Sequence, residues 1–489
     1  MKDVELNSST KLDTGLDSSI AGFNLNRKHI LYALFIILSL FCGIVITGLP
    51  LLKQFVMIAA IPAVLVVFII LKDPLNGIYL FFLYDYLRPY DFIPALRPLR
   101  LSLVIEVLTL ISWLLYVKQM KLKIKWSKFN YYYIGFILVI AAMIPLAVNN
   151  RMAYNTWQAM SITFLIYLIA TNRINSVDKL NKLIWILLLI FAYFALKGIY
   201  NYAILRHVVG SERTSGVVGG SFISDENDFA LALNFMIPFA FFYFMETYKG
   251  IKRYACLGIL LLFVLGVIAS NSRGGWVGLV VAVLFVVIWS KRRVIGLSIT
   301  AVLAVVVLLF APSGFWTEVG SISEVHEGTA QSRINYWKAG VRMFLTHPVL
   351  GVGAGNGPIR MPQFVEGWRD VNTQWGRTFH GTIPQVMAEL GATGLLAYLA
   401  MIFYAIRHLR KLVKTNLAEN GKMIRTIAKA IIVSIITYIV TATFLSTAYY
   451  PELWTLYVFT TILLFISKEK GTRVQPKAPI EEGPRINYP

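Results

Sequence analysis

YACLGILLLFVLGVIASNSRGGWVGLVVAVLFVVIWS, residues 254–290, decides how this chain is read. Arg273 is the single charged residue in the stretch, and polar residues gather only around it, in SNSRGGW at 270–276. The apolar runs on either side, 254–270 and 274–290, approach the roughly 20 residues that a helix needs to cross a bilayer. Lys249, Lys252 and Arg253 precede the pair, and Lys291, Arg292 and Arg293 follow it. Basic loops mark the cytoplasmic side of a membrane protein. The stretch therefore reads as a helical hairpin that leaves the cytoplasm, turns on the outer side at Arg273 and returns.

The same pattern runs through the rest of the 489 residues, of which 57% are hydrophobic and 15% charged. With a mean hydropathy of +0.65, there is more apolar content than a globular core hides, so the excess faces lipid. The low charge content excludes a disordered chain. Lys and Arg number 46 against 25 Asp and Glu, a formal charge of +21. In a membrane protein that balance reflects cytoplasmic loops and contact with anionic lipid, so no nucleic-acid partner is expected. Cys42 and Cys256 form no CxxC pair and no zinc spacing, and both are expected to pack as small buried apolar residues.

Further runs fall near 30–48, 54–71, 75–87, 101–117, 131–148, 152–171, 183–204, 226–246, 294–311, 384–406, 430–448 and 453–467. The fold class expected is an all-α, polytopic inner-membrane bundle of about fourteen transmembrane helices. Basic loops at 118–128 (KQMKLKIKWSK), 249–253, 291–293, 407–414 and 468–473 then share one side with the N-terminus. Both termini are predicted to be cytoplasmic. The organisation follows: a cytoplasmic tail over 1–29, spans over 30–311, one long partly helical periplasmic loop over 312–383, spans over 384–467, and a Pro-rich cytoplasmic tail over 468–489. The run at 30–48 reads as a signal anchor, because it is long and ends without a small-x-small cleavage site.

The loops assigned to the outer side carry Arg88, Arg97, Arg100, Arg151, Arg206, Arg213, Arg273, Arg333, Arg342, Arg360, Arg369 and Arg377. Lysine there is limited to Lys53, Lys338 and, near a span end, Lys197, while the inner loops are Lys-rich. The positive-inside rule does not separate the two residues. A planar fork that grips phosphate bidentately does, so an anionic ligand is expected on the outer face. Single arginines can equally pair with Glu or reach headgroups.

Several motifs lie on that face. Arg273 sits at membrane depth, where a charge is costly and usually functional, and Gly274 and Gly275 permit a tight turn and close backbone approach. QSRINYWKAGVRMFLTHPVLGVGAG, 331–355, opens at Arg333 on a helix with Ile334, Trp337, Val341 and Phe344 on one face, expected to lie on the membrane or the bundle. GVGAGNG at 351–357 follows no predicted strand, so it reads as a turn-rich loop and not a dinucleotide site. RTFHGTIPQVMAELG, 377–391, puts His380 beside Arg377 just before a span, where a histidine can accept a proton or simply orient the loop. SFISDENDFA, 221–230, offers Asp225, Glu226 and Asp228 either to a metal or to the N-terminus of a helix.

In this order, the polar start at Asp225 to Asn227, SNSRGG, RINYWKAGVRMFLTHPVLGVGAGN and FHGTIPQVMAELGATG resemble the O-antigen ligase and polymerase superfamily of bacterial membrane glycosyltransferases. The resemblance covers roughly residues 215–400. YLRPYDFIPALRPLR at 86–100 is similar, more loosely, to a subgroup near exosortase-linked ligases. The resemblance implies an inverting, metal-independent enzyme without a cofactor. It would move a glycan from undecaprenyl pyrophosphate to lipid A–core or to another glycan at the periplasmic face. Carried over by motif, Arg273, Arg333 and Arg377 would hold the pyrophosphate and His380 would assist the acceptor hydroxyl, with Asp225, Asn227, Arg213, Arg88 and Glu389 as accessory residues. A flippase is the rival reading from another class, but the expected polar residues near the midplane and repeated halves are not visible.

Overall fold

The computed structural model of the chain describes residues 51–205, 225–290, 329–366, 371–415 and 420–471, with a few positions between 293 and 305. Helices are its only regular elements among these residues. The chain divides into a unit of residues 1–68, whose described part is helical, and a unit of residues 69–489 that carries everything below. In order the helices are α1 (Leu51–Lys72), α2 (Pro74–Leu87), α3 (Leu101–Gln119), α4 (Lys128–Met143), α5 (Asn150–Arg173), α6 (Val177–Tyr200), α7 (Glu226–Asn234) and α8 (Ile237–Phe242). They continue with α9 (Gly250–Ala269), α10 (Arg273–Trp289), α11 (Thr329–Thr346), α12 (Gly357–Phe364), α13 (Thr382–Lys414), α14 (Gly421–Thr441) and α15 (Pro451–Gly471).

Six stretches among the described residues are long and apolar enough to cross a membrane: Pro94–Gln119, Val177–Ile204, Glu226–Thr247, Gly250–Ala269, Thr382–Lys414 and Gly421–Phe444. Lys128–Met143 and Arg273–Trp289 are apolar but shorter. The chain is thus a multi-pass helical membrane protein. The expected runs at 30–48 and most of 294–311 lie outside the described residues, as does Cys42; Cys256 is fully buried, as expected.

Hydrophobic packing centres on α14, which lies against α8, α10, α13 and α15. Hydropathy placed the start of this span at 430, but the helix begins at Gly421. The reason is Lys429: its ammonium bonds both oxygens of Glu246, at 2.8 and 2.9 Å, so a charged pair is carried inside the bundle. The expected single span 226–246 is broken between α7 and α8, where Pro238 lacks the N–H that would continue the ladder. Ser434 on α14 donates to the Phe235 carbonyl at this break (2.7 Å).

The two ends of the bundle differ in chemistry. At one end Arg173 grips Asp73 with two hydrogen bonds of 2.9 and 2.6 Å, and Asn172 accepts from the Lys125 backbone. The basic loops at 118–128 and 468–470 meet there, through the ion pair of Lys125 with Glu469. At the other end lie the start of α7, the junction of α9 with α10, the start of α13 and the start of α15, joined by side-chain hydrogen bonds.

Candidate active site

Asp225 caps α7: its Oδ1 accepts the backbone N–H of Asn227 (2.8 Å) and of Asp228 (3.3 Å). Of the two readings of the acidic stretch, the helix-capping one describes the fold. Asn227 then accepts a hydrogen bond from Ser272 Oγ (2.7 Å), and Ser272 Oγ itself accepts from Gly275 N (3.0 Å) as the N-cap of α10. These two bonds tie the DEND start to the SNSRGG junction and set Arg273 at the first position of α10. The turn is not made at the glycines, as the sequence suggested. Asn271 makes it, at φ 51°, while Gly275 and Gly278 lie within the helix. They serve close approach: a Cβ at Gly275 would stand 2.4 Å from Ala230 Cβ, and one at Gly278 2.0 Å from Thr441 Oγ1. Asn234 donates to the Gly275 carbonyl across the same seam (2.8 Å).

His380 precedes α13 with φ 48°, a left-handed conformation uncommon for a residue with a Cβ and concentrated at functional sites. Trp337 Nε1 on α11 donates to the His380 carbonyl (3.1 Å), and the Tyr336 ring lies 6.0 Å from the imidazole. Tyr336 is fixed in turn by its hydroxyl bond to Gln374 (2.9 Å). Burial, and then the Arg333 guanidinium, hold the imidazole below its ordinary value of 6.5; Asp225 opposes the shift and Arg377 adds to it. His380 is therefore neutral at pH 7 and stands within electrostatic reach of Arg333, Arg377 and Asp225. It is half-buried, and Arg377 is exposed beside it.

The loop 351–357 is turn-rich, as read. Gly351, Gly353 and Gly355 all have positive φ, and the loop docks on α13 at a kink where Gly391 has φ 64°. Val352 N and Gly353 N bond the carbonyls of Ala388 and Glu389, and Ala392 N bonds that of Pro348. The Glu389 side chain, 1% exposed, accepts from Gly355 N (3.1 Å), Gly357 N (3.2 Å) and Tyr449 Oη (2.8 Å). It latches the loop to α13 and to the turn before α15.

An apolar cavity of about 230 Å³ opens at the start of α13, lined by Trp337, Ile383, Pro384, Tyr398, Ile402 and Ile439 among others. Trp337 lies in the cavity wall and also bonds the His380 carbonyl. Of the two placements expected for the apolar face of α11, on the membrane or on the bundle, Ile334 and Val341 take the outward one. Tyr336, Ala339 and Met343 are buried, against Phe379 and Met361, while Ile334 and Val341 are 41% and 44% exposed. The exposed apolar side suits a helix lying at a membrane surface.

The expected residues thus divide. His380, Arg333, Arg377 and Asp225 come together, and Asn227 links them to the Arg273 junction. Glu389 is a buried latch. Arg88 ends α2 at φ 47° and lies within reach of Asp85 and Glu452, not of His380 directly. Arg213 lies outside the described residues. No group of three His, Cys, Asp or Glu among the described residues is placed to hold a metal ion. The sequence reading missed Tyr449 and Tyr450, which bond Glu389 and Asp228 (2.8 and 3.1 Å), and the role of Trp337. The paired tyrosines before Pro451, polar-tipped aromatics at a span end, were the available signal.

Residues 258–399 match the family model described as O-antigen ligase. That match contains Arg273, Arg333, Arg377, His380 and Glu389. The teichuronic acid biosynthesis protein TuaE of Bacillus subtilis (strain 168) is 27% identical to the chain over 323 residues, 60% of this chain and 62% of the relative. The chain therefore aligns with less than two thirds of that relative's length.

Proposed function

We propose that this chain, whose residues 258–399 match the O-antigen ligase family model, is a membrane enzyme of surface polysaccharide biosynthesis, a glycan transferase acting on a lipid pyrophosphate. The donor is a glycan on undecaprenyl pyrophosphate, and the acceptor is a hydroxyl of lipid A–core. The enzyme resides in the inner membrane with the His380 end facing the periplasm.

The observation that carries this reading is a neutral imidazole among arginines, beside an apolar slot. In the proposed step the acceptor oxygen attacks the anomeric carbon and gives its proton to the His380 ring. The bond from that carbon to the pyrophosphate oxygen breaks, and the electron pair leaves with the pyrophosphate. Arg273, Arg333 and Arg377 take up the charge on the leaving group, the task a metal would otherwise perform. Attack opposite the leaving group inverts the anomeric centre. The slot walled by Trp337 and Ile402 takes the first isoprene units. A second reading, a polymerase that uses another lipid-linked glycan as acceptor, is favoured by the relative's role in teichuronic acid biosynthesis.

Purified protein in nanodiscs with lipid-linked glycan donor tests the proposal. Addition of acceptor should release undecaprenyl pyrophosphate in a one-to-one ratio with the new glycoside. Movement of intact donor between leaflets without its cleavage would instead identify a transporter.

A further inference from the structure

The segment 86–100, singled out in the sequence, forms no part of the His380 site, yet it walls an open cavity of its own. That cavity measures about 590 Å³ and is lined by Tyr84, Tyr90, Asp91, Arg97, Arg100 and Glu106, with Gln158 from α5. Its wall is built by a proline-punctuated turn between α2 and α3. Pro89 opens one helical turn and Pro94 a 3₁₀ segment; Arg88 before the first piece and Arg100 after the second are both in left-handed conformations. Arg97 Nε bonds the Tyr90 carbonyl (3.3 Å), which holds the turn in shape.

The polar atoms of this pocket are incompletely satisfied from within the protein. The Asp91 side chain is 3% exposed and stands 3.7 Å from Arg97 through Oδ1, but its buried Oδ2 has no hydrogen-bond partner. Tyr84 Oη is also buried without one. Buried polar atoms are nearly always paired, so these two, on residues that line one cavity, are groups a ligand could pair after a small side-chain rotation. Arg100, also in the lining, has no carboxylate partner among the described residues. The set contains aromatic rings, carboxyls that accept from hydroxyls, an amide and an arginine left for an anion. Sugar hydroxyls can donate to these carboxyl oxygens, which the acceptor-only oxygens of a phosphate headgroup cannot.

The pocket is also joined to the site by charge. Glu106 lies within electrostatic reach of Asp85, Asp85 of Arg88, Arg88 and Asp228 of Glu452, Asp228 of Asp225, and Asp225 of His380. We infer that the pocket between α2 and α3 is a subsite for an acidic sugar unit of the glycan, its carboxylate on Arg100 and its hydroxyls on Asp91 and Tyr84. The inference rests on the glycan-transfer reading for the origin of its ligand.

The test is direct binding, separate from turnover. The full chain in phosphatidylcholine nanodiscs is titrated with a glucuronic-acid-containing tetrasaccharide and with its carboxyl-reduced counterpart. The acidic probe should bind the wild type more tightly than the reduced probe by about ten- to a hundredfold, the worth of a charge-assisted hydrogen bond. Arg100→Gln should remove that preference, and Tyr84→Phe should weaken both probes severalfold. Lys338→Gln, a surface charge change on α11, should alter neither. Absence of binding, a preference that survives Arg100→Gln, or displacement of the probe by phosphatidylglycerol would overturn the subsite. A protein that binds as described but transfers no glycan would refute the transferase reading alone; one that transfers but fails these titrations would refute the subsite alone.

Discussion

Replacing Glu389 by alanine tests whether the geometry of the His380 loop depends on a buried latch. The carboxylate accepts from two backbone N–H groups of the 351–357 loop and from Tyr449, at 3.1, 3.2 and 2.8 Å, and is fully enclosed. Each donor left without a partner costs about 1–3 kcal/mol. Three would cost roughly 3–9 kcal/mol, reduced to about 3–5 if water enters the vacated space and re-pairs some of them. Loss of that size should lower the thermal midpoint in detergent by on the order of 10 °C. Cleavage by an added protease should appear within 351–357. Glu389→Gln keeps one acceptor oxygen and should fall between. Transfer should decline in step with the midpoint, because the same helix carries His380 at its start. An unchanged midpoint for Glu389→Ala would refute the latch, and lost transfer at that unchanged midpoint would instead assign the carboxylate to the chemistry.

Further outcomes follow from the site. Activity that needs neutral His380 should be lost as pH falls through a value below the ordinary 6.5, since burial and Arg333 hold the imidazole down; a pH–rate profile of Arg333→Gln should show that acid limb moved upward. Arg273→Ala should reduce transfer about ten- to a hundredfold, the cost of one charge-assisted hydrogen bond, with Arg273→Lys also strongly impaired in a transfer assay because a point charge does not reproduce the fork. Lys338→Cys should label with an impermeant thiol reagent in cells with a permeabilised outer membrane, and Lys123→Cys should not; the reverse pattern would place His380 in the cytoplasm.

The parts of this molecule legible in the sequence are those written in periodicity and spacing. The apolar runs around Arg273 gave the α9–α10 hairpin, and the order of motifs brought Arg333, Arg377 and His380 to one place. What depends on partners far along the chain was hidden. Lys429 reads as a span boundary until Glu246, on another helix, is seen to neutralise it. The sequence leaves the apolar face of α11 with Ile334 and Val341 open between membrane and bundle, because a helix beside a membrane has apolar residues on both sides, and Phe379 and Met361 decide which side is inward. Glu389 gave no signal of a latch, because its partners are backbone groups of glycines and a tyrosine 60 residues away. Of the two uses read for Gly274 and Gly275, close approach holds, with Gly275 against Ala230, while the tight turn is made by Asn271.

The central claim is that His380 accepts the proton of the attacking hydroxyl in transfer from a lipid pyrophosphate. Its most direct measurement is single-turnover transfer by purified wild type and His380→Ala, with donor binding recorded separately and EDTA present throughout. Wild type should form the glycoside in EDTA, and His380→Ala should bind donor normally yet transfer about 10²–10⁴-fold more slowly. Normal turnover by His380→Ala, or a wild type silenced by EDTA and restored by a divalent ion, would contradict the account.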